Sequence, residues 1–202
     1  YGEVNLSGAG EGSVEIMTIH KSKGLEFPIV ILAGMGKQFN MQDLNARLLI
    51  HPDYGLGADA ILPDRRMIVS TLYKQVIRRK LLEETLGEEI RVLYVALTRA
   101  KEKLIMTGTI GNLEKRLLSL YRFRENEQEL LPAETRLNGK TYWDYVLPAL
   151  ARHRCMDELF EEFGLLPSHD NLLYDDPAEF QVKRITARTL TEAEVVEQAA
   201  GQ

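Results

Sequence analysis

The stretch MTIHKSKGLEFPIVILAG, from Met17 to Gly34, places a dense group of charged and polar side chains between two apolar runs. Residues 14–19 and 28–33 both have the composition of β-strands, and the second run is apolar throughout. A continuous apolar run is typical of a strand buried on both faces of a parallel sheet. The connection between the two runs is too short for a crossover helix, which takes about a dozen residues.

We expect this connection to lie at the carboxyl edge of a strand, where open α/β sheets bind ligands. Gly24 would allow a backbone or a phosphate group to approach closely. Glu26 offers an acceptor for hydroxyl groups, such as those of a ribose. Donors to phosphate oxygens come from four neighbouring residues: His20, Lys21, Ser22 and Lys23. A solvated turn with incidental charge is the alternative interpretation.

A second charged stretch, EEIRVLYVALTRAKEKL, runs from Glu88 to Leu104 and predicts a helix followed by a strand over 103–109. Arg91 and Thr98 are seven residues apart and fall on one side of that helix, and Arg99 follows directly. An arginine beside the apolar face of a core helix is costly unless it has a partner. A purely structural interpretation gives these arginines Glu88 or Glu89 as partners.

The remaining pattern predicts an α/β layer of strand, connection, strand, helices and strand. Residues 34–63 are rich in turn-forming residues and predict an irregular stretch. A helix is predicted over about 67–84, and Gly87 is expected to end it before the next helix begins. The basic run of this helix favours a solvated face over a DNA track; its members are Lys74, Arg78, Arg79 and Lys80.

The composition changes beyond Gly111. We predict a basic amphipathic helix over 112–124, a charged linker, and a helix over 141–164 that Pro148 interrupts. A loop, a short strand over 181–186 and a terminal helix over 191–202 complete the chain. The aromatic side chains at positions 142, 143 and 145 favour packing over base stacking, and Cys155 favours a core position over a nucleophile.

The whole chain has 202 residues and a net charge of −5, so any DNA contact needs a local basic patch. A single cysteine excludes a disulfide framework and a four-cysteine metal site within the chain. The histidines lack metal-ligand spacing, and we expect no metal site here. No signal peptide and no membrane span are predicted, so we expect a cytoplasmic protein. The first residue is not Met and the chain stops within a predicted helix, which suggests an excised fragment.

Together, the two charged stretches resemble motifs V and VI of superfamily 1 DNA helicases of the UvrD, PcrA and Rep type, in that family's order. The stretch TYWDYVLPALARHR, at 141–154, is similar to the segment after motif VI in the A subunits of AddAB-type helicase–nucleases. The resemblance implies a RecA-like parallel sheet with flanking helices and a mainly helical C-terminal extension. Residues 1–125 would be the C-terminal part of the second RecA-like domain, and 126–202 a linker toward a nuclease domain.

The resemblance also implies a role for each charged residue. Arg99 would be the arginine finger that reaches the γ-phosphate of ATP from across a cleft. The nucleotide site would further include Glu26, Gly24, Arg91 and Thr98. The DNA backbone would contact His20, Lys21 and Ser22.

The implied protein is one subunit of an ATP-dependent DNA helicase/exonuclease that processes double-strand ends for recombinational repair. ATP and Mg²⁺ would bind mainly to a domain absent here, because the chain has no G-x-x-x-x-G-K-[ST] phosphate loop. We therefore expect the chain alone not to hydrolyse ATP. The implied partners are DNA, double-stranded at ends and single-stranded, and the B subunit of a heterodimer. The alternatives are a repair helicase without nuclease activity and a non-catalytic, helicase-like scaffold.

Overall fold

The computed structural model describes residues 13–166, 171–186 and 189. The strands are β1 (Phe27–Leu32), β2 (Leu48–His51), β3 (Gly55–Leu62), β4 (Met67–Ser70) and β5 (Ala100–Met106). The helices are α1 (Leu72–Leu97), α2 (Leu113–Tyr121), α3 (Ala133–Leu137), α4 (Trp143–Leu150) and α5 (Asp157–Glu162). Short 3₁₀ turns lie at Gln42–Asn45, Pro63–Arg65 and Arg154–Met156. The predicted helix over 191–202 lies outside the described residues.

Strands β1 and β5 form a two-stranded parallel sheet, which confirms the parallel sheet and the mixed α/β class. Phe27 pairs with Ala100, and after a shift in register the pairing continues from Ile29 with Lys103 to Leu32 with Met106. The apolar run over 28–33 and the strand predicted over 103–109 therefore both form strands, the second beginning three residues earlier. Parallel pairing makes both strands start at the same edge.

The strand predicted over 14–19 is wrong. Residues 13–18 have no regular secondary structure, and Val14 and Ile16 are 85% and 95% exposed. Strand composition is not sufficient, because a strand needs a neighbour to take its backbone hydrogen bonds. No strand among the described residues lies beside this segment.

The predicted irregular stretch over 34–63 contains an antiparallel sheet instead. Its strands are ordered β2–β3–β4, with Leu48 opposite Ala58 and Ala60 opposite Val69. The helix predicted from residue 67 begins only at Leu72, because β4 occupies the positions before it. Strand β3 reads GLGADAIL, a sequence of weak strand propensity, so its pairing depends on packing against α1.

Helix α1 is one helix of 26 residues, and the predicted break at Gly87 is wrong. Its first N–H groups are capped at Thr71, whose Oγ1 accepts from the Lys74 N–H at 3.2 Å. A glycine inside a helix costs only about 1 kcal/mol relative to alanine. Burial of Leu86 and Leu93, which are 2% and 5% exposed, offsets that cost on both sides of Gly87.

The basic run on α1 is engaged within the fold, as the solvated-face interpretation expects. Lys74 is buried and its Nζ lies 2.7 Å from Asp59 Oδ1. The three other cations make local contacts: Arg78 donates to the Leu44 carbonyl, Arg79 pairs with Glu83, and Lys80 pairs with Glu84. Little of this run is left to bind a polyanion.

A buried histidine fixes the turn between β2 and β3 against α1. The Nδ1 of His51 accepts from the N–H groups of Asp53 and Tyr54, at 3.0 and 3.3 Å. Because Nδ1 is an acceptor, the proton sits on Nε2, which lies 3.2 Å from both carboxylate oxygens of Glu84. This hydrogen bond lowers the pKa of Glu84.

The chain divides into two compact units at boundaries other than the predicted 125/126 division. One contains the residues up to Ile110 together with Ala133–Tyr145, and the other contains Gly111–Pro132 and the residues from Val146 onward. Helix α2 confirms the amphipathic helix over 112–124. The helix predicted over 141–164 is instead α4 and α5, and it continues through Pro148 before breaking at 151–156. Residues 181–186 form no strand.

The second unit is built around a buried arginine. Arg124 is fully buried, forms an ion pair with Asp157 and lies 5.0 Å above the ring of Phe160. The hydroxyl of Tyr174 donates to the same carboxylate at 2.7 Å. The basic appearance of the 112–124 segment therefore reflects in part a core ion pair, which no periodicity reveals.

We expect Gly87→Ala to stabilise the chain by about 0.5–1 kcal/mol, because alanine loses less backbone entropy in a helix. A Cβ at this position meets nothing within 4 Å. Gly57→Ala is the matched contrast, because its Cβ would lie 2.8 Å from the Lys74 Cα and should cost about 1–3 kcal/mol. Urea unfolding of both variants measures the two effects, and destabilisation by Gly87→Ala would contradict a continuous helix.

The contact between His51 and Glu84 predicts a loss of stability in acid. The folded-state pKa of Glu84 lies below its unfolded value, so the contribution is complete above the unfolded pKa of about 4.3. It is lost as the pH falls through the folded-state pKa. Glu84→Gln should therefore flatten the dependence of the free energy of unfolding between about pH 5 and pH 3. Parallel curves for the two proteins would show that this pair contributes nothing.

Candidate functional site

The charged connection is a compact turn that leads into β1. The N–H groups of Lys21 and Ser22 donate to the Thr18 carbonyl at 3.0 and 3.2 Å, and the Leu25 N–H donates to the Ser22 carbonyl at 3.0 Å. The turn precedes β1, and Thr98 and Arg99 precede β5. The charged residues therefore meet at the amino edge of the parallel strands, and the expected carboxyl-edge position is wrong.

Ser22 lies inside this turn. Its residue is 7% exposed, and its Oγ donates to the Ile19 carbonyl at 2.7 Å. The side chains of His20, Lys21 and Lys23 are exposed. The hydroxyl predicted to contact DNA is thus used to close the turn, whereas the basic side chains beside it face outward.

Arg99 joins the two charged stretches. Its Nη1 donates to the Leu25 carbonyl at 2.8 Å, across 74 residues of sequence. In the opposite direction, the Phe27 N–H donates to the Arg99 carbonyl at 2.9 Å. Glu26 lies between these two contacts, so the structure brings Gly24, Glu26 and Arg99 into one short region, as predicted for a shared site.

The Arg99 guanidinium is held by neutral acceptors only. Its Nε donates to the Val95 carbonyl at 2.9 Å, and its Nη2 donates to the Thr98 Oγ1 at 3.0 Å. A guanidinium has five N–H donors, so one hydrogen on each terminal nitrogen is left without a partner among the described residues. No carboxylate in the described part of the chain pairs with Arg99, contrary to the structural interpretation.

Thr98 ends helix α1 and supports the arginine that follows it. Its Oγ1 lies 3.0 Å from the Tyr94 carbonyl and 3.1 Å from the Val95 carbonyl, to which it donates. The same oxygen accepts from Arg99. The hydroxyl therefore transmits the position of the last helical turn to the guanidinium.

The two other predicted nucleotide-site residues have carboxylate or ammonium partners. Arg91 forms an ion pair with Glu88, and both side chains are largely exposed. This is the partner that the structural interpretation gives to Arg91, and no hydrogen bond among the described residues joins Arg91 to Thr98 or Arg99. The Glu26 carboxylate lies 3.2 Å from the Lys101 Nζ, on an exposed surface.

The carboxyl edge of β1 and β5 is filled by an aromatic side chain that sequence reasoning placed only as packing. The Trp143 N–H donates to the Met35 carbonyl at 3.1 Å. A Cβ at Gly108 would lie 2.5 Å from the Trp143 Nε1, and one at Gly36 would lie 3.4 Å from its Cδ1. The two glycines after the strands were the available signal, since each leaves room for the ring.

Neighbouring aromatic residues are also internal. The Tyr142 hydroxyl donates to Glu89 at 2.7 Å, and burial with this carboxylate raises its pKa. Burial raises the pKa of Tyr145 to about 12. Cys155 is half-buried, and burial raises its pKa to about 11, so its thiol stays protonated at neutral pH. The packing interpretation of these residues fits the geometry.

Metal sites and membrane spans are two other classes of functional feature. Within residues 13–166 and 171–186, no group of three or more His, Cys, Asp or Glu side chains is arranged to hold a metal ion. None of the helices that the structure describes is long and apolar enough to span a membrane.

Known proteins resemble the chain over nearly its whole length. Residues 3–110 match the family described as UvrD-like helicase C-terminal domain. The A subunit of an ATP-dependent helicase/nuclease from Clostridium botulinum (strain Kyoto) is 42% identical over 196 residues, which cover 97% of this chain and 15% of that protein. The protein of the same name from Clostridium beijerinckii is 44% identical over 203 residues, which cover 99% and 16%.

The chain thus spans about 15% of the length of the curated relatives that it matches. The resemblance carried by the two charged stretches is confirmed, because the family match includes both of them. The region that brings Arg99 to the turn before β1 is part of that match, and the chain belongs to the family of UvrD-like helicase C-terminal domains.

Proposed function

We propose that the chain is part of the second RecA-like motor domain in one subunit of an ATP-dependent DNA helicase/nuclease, and that Arg99 is its arginine finger. The observation that carries this proposal is the state of the Arg99 guanidinium. Three neutral acceptors hold it, and each terminal nitrogen keeps one N–H without a described partner. Two parallel N–H groups on a fixed fork match the oxygens of a phosphate.

This arrangement suits phosphoryl transfer. The transferred phosphoryl group spreads negative charge over its oxygens, and a positioned guanidinium stabilises that charge. An arginine already neutralised by a carboxylate would contribute less. Arg91 illustrates the difference, because its pairing with Glu88 would have to be broken before it could contact a nucleotide.

The residues around Arg99 fit a nucleotide at its edge. Bound ATP with Mg²⁺ would supply the phosphoryl group, and the chain's own part would be to orient and stabilise it. Thr98 orients Arg99, and Glu26 offers an exposed carboxylate that a ribose hydroxyl could approach. Mg²⁺ and most phosphate contacts would come from another part of the polypeptide, since this chain has no phosphate loop. We accordingly propose that the chain alone does not hydrolyse ATP.

DNA would contact the exposed side of the turn before β1. His20 and Lys21 are exposed there and could contact phosphates without reading sequence. We do not include Ser22 among these contacts, because its hydroxyl is buried. The relatives bear the name of the A subunit of a helicase/nuclease, which supports DNA ends as substrate, recombinational repair as process and, as partner, a B subunit. A DNA substrate also favours a cytoplasmic location.

A non-catalytic scaffold is the less favoured alternative. Keeping a half-buried guanidinium without a carboxylate costs free energy, and a scaffold gains nothing from it. A helicase without nuclease activity would use the same groups, and the names of the relatives favour the combined activity.

In the complete polypeptide with its partner subunit, we expect Arg99→Ala to lower kcat for ATP by roughly 10³-fold or more, with a much smaller change in ATP affinity. Arg99→Lys should not restore turnover, because an ammonium lacks the planar fork. Arg91→Ala, which removes an exposed ion pair, is the matched control and should change kcat only a few-fold. Steady-state ATPase kinetics and thermal melting on the same samples measure these effects. A folded Arg99→Ala protein with nearly normal turnover would rule out the finger assignment.

The turn before β1 offers a second pair of matched variants. His20→Ala should raise the DNA concentration that gives half-maximal ATPase stimulation and leave the maximal rate nearly unchanged. Ser22→Ala should leave that concentration unchanged and cost about 0.5–1.5 kcal/mol of stability, because it removes the hydrogen bond to the Ile19 carbonyl. DNA titrations of ATPase activity and urea unfolding distinguish the two. The reverse assignment would hold if only Ser22→Ala weakened stimulation.

A further inference from the structure

The Leu25 carbonyl is the contact that fixes Arg99 relative to the turn before β1. The two other acceptors of the guanidinium, the Val95 carbonyl and the Thr98 hydroxyl, belong to the last turn of α1 and to the residue after it. They move with the arginine. Leu25 lies in the other charged stretch, so the direction of its carbonyl decides where the guanidinium stands against that stretch.

The backbone of Gly24 sets the direction of this carbonyl. Gly24 has a φ of +84°, in the left-handed region that glycine adopts without strain. The peptide that follows is held on both sides, by the Leu25 N–H bonded to Ser22 and by the Phe27 N–H bonded to Arg99. With both neighbours fixed, a change of φ at Gly24 would turn the Leu25 carbonyl away from Arg99.

Space is not the reason for a glycine at this position. A Cβ on Gly24 would meet no atom within 4 Å. This contrasts with Gly108 and Gly57, where a Cβ would clash with the Trp143 ring and with the α1 backbone. The requirement at Gly24 is therefore for its conformation, whereas the sequence had suggested the close approach of a phosphate.

We propose that Gly24 is a positioning residue, whose left-handed backbone aims the Leu25 carbonyl at Arg99 and so aligns the guanidinium for the γ-phosphate. The inference rests on the proposed function of Arg99 and adds a residue that acts through it. A turn that also carries the exposed basic side chains would then hold the arginine directly, through one carbonyl.

The proposal predicts an unusual order of substitutions. Asparagine tolerates the left-handed region better than alanine, and valine tolerates it least. The expected order of turnover is therefore Gly24, then Gly24→Asn, then Gly24→Ala, then Gly24→Val. If the glycine served only to make room for a phosphate, the small Gly24→Ala would be better than the larger Gly24→Asn.

The test measures DNA-stimulated ATPase kinetics and thermal melting for these variants in the complete polypeptide with its partner subunit. We expect Gly24→Asn to stay within a few-fold of the parent, and Gly24→Ala to lose about tenfold in kcat per folded molecule. The KM for ATP should change much less. Gly34→Ala is the control for strain alone, because Gly34 has a φ of +76° and an open Cβ position at the other end of β1. It should lower the melting temperature similarly and leave kcat unchanged.

A double-mutant cycle with Arg99→Ala separates the inference from the function on which it rests. If Gly24 acts through Arg99, Gly24→Ala should have almost no further effect on kcat in the Arg99→Ala background. Additive losses, a better Gly24→Ala than Gly24→Asn, or an equal kcat loss in Gly34→Ala would each overturn the inference alone. Normal turnover in Arg99→Ala would instead overturn the proposed function.

Discussion

The parallel pairing of β1 with β5 is the constraint on which the candidate site depends. Because parallel strands begin at the same edge, the residues that precede them are brought together even though they are far apart in sequence. A main-chain hydrogen bond joins Phe27 to Arg99, and the Arg99 side chain adds a second tie to Leu25. Without this pairing, the two charged stretches would have no common geometry.

Helix α1 supplies the rigidity that the pairing needs. Its 26 residues extend over about 39 Å, from the antiparallel sheet to the start of β5. The first half packs closely on β3 at Gly57 and is tied down by Lys74 and its partner Asp59. The last turn then presents Thr98 and Arg99. A break at Gly87 would have separated the anchoring half from the half that carries the arginine.

Three arginines show how the environment assigns different roles to one residue type. Arg124 is buried with a carboxylate and an aromatic ring and holds the second unit together. Arg91 is exposed and neutralised by its neighbour on the same helix. Arg99 alone of these three is held by neutral oxygens, which fix its direction and leave its charge available. The available charge, and not the presence of arginine, distinguishes a candidate phosphate ligand.

The sequence by itself determined the buried strand β1, the strand β5, the helical pattern leading to Arg99 and the family, because these depend on local composition and on the order of two long motifs. It did not determine that residues 14–19 lack a strand, since composition cannot show whether a neighbour exists to take the hydrogen bonds. It also missed the antiparallel sheet, whose weak strand β3 forms only against α1. Only the tertiary structure decided that Ser22 is internal, that Arg91 is paired and that Arg99 is not, because each depends on which groups the fold brings within hydrogen-bonding distance.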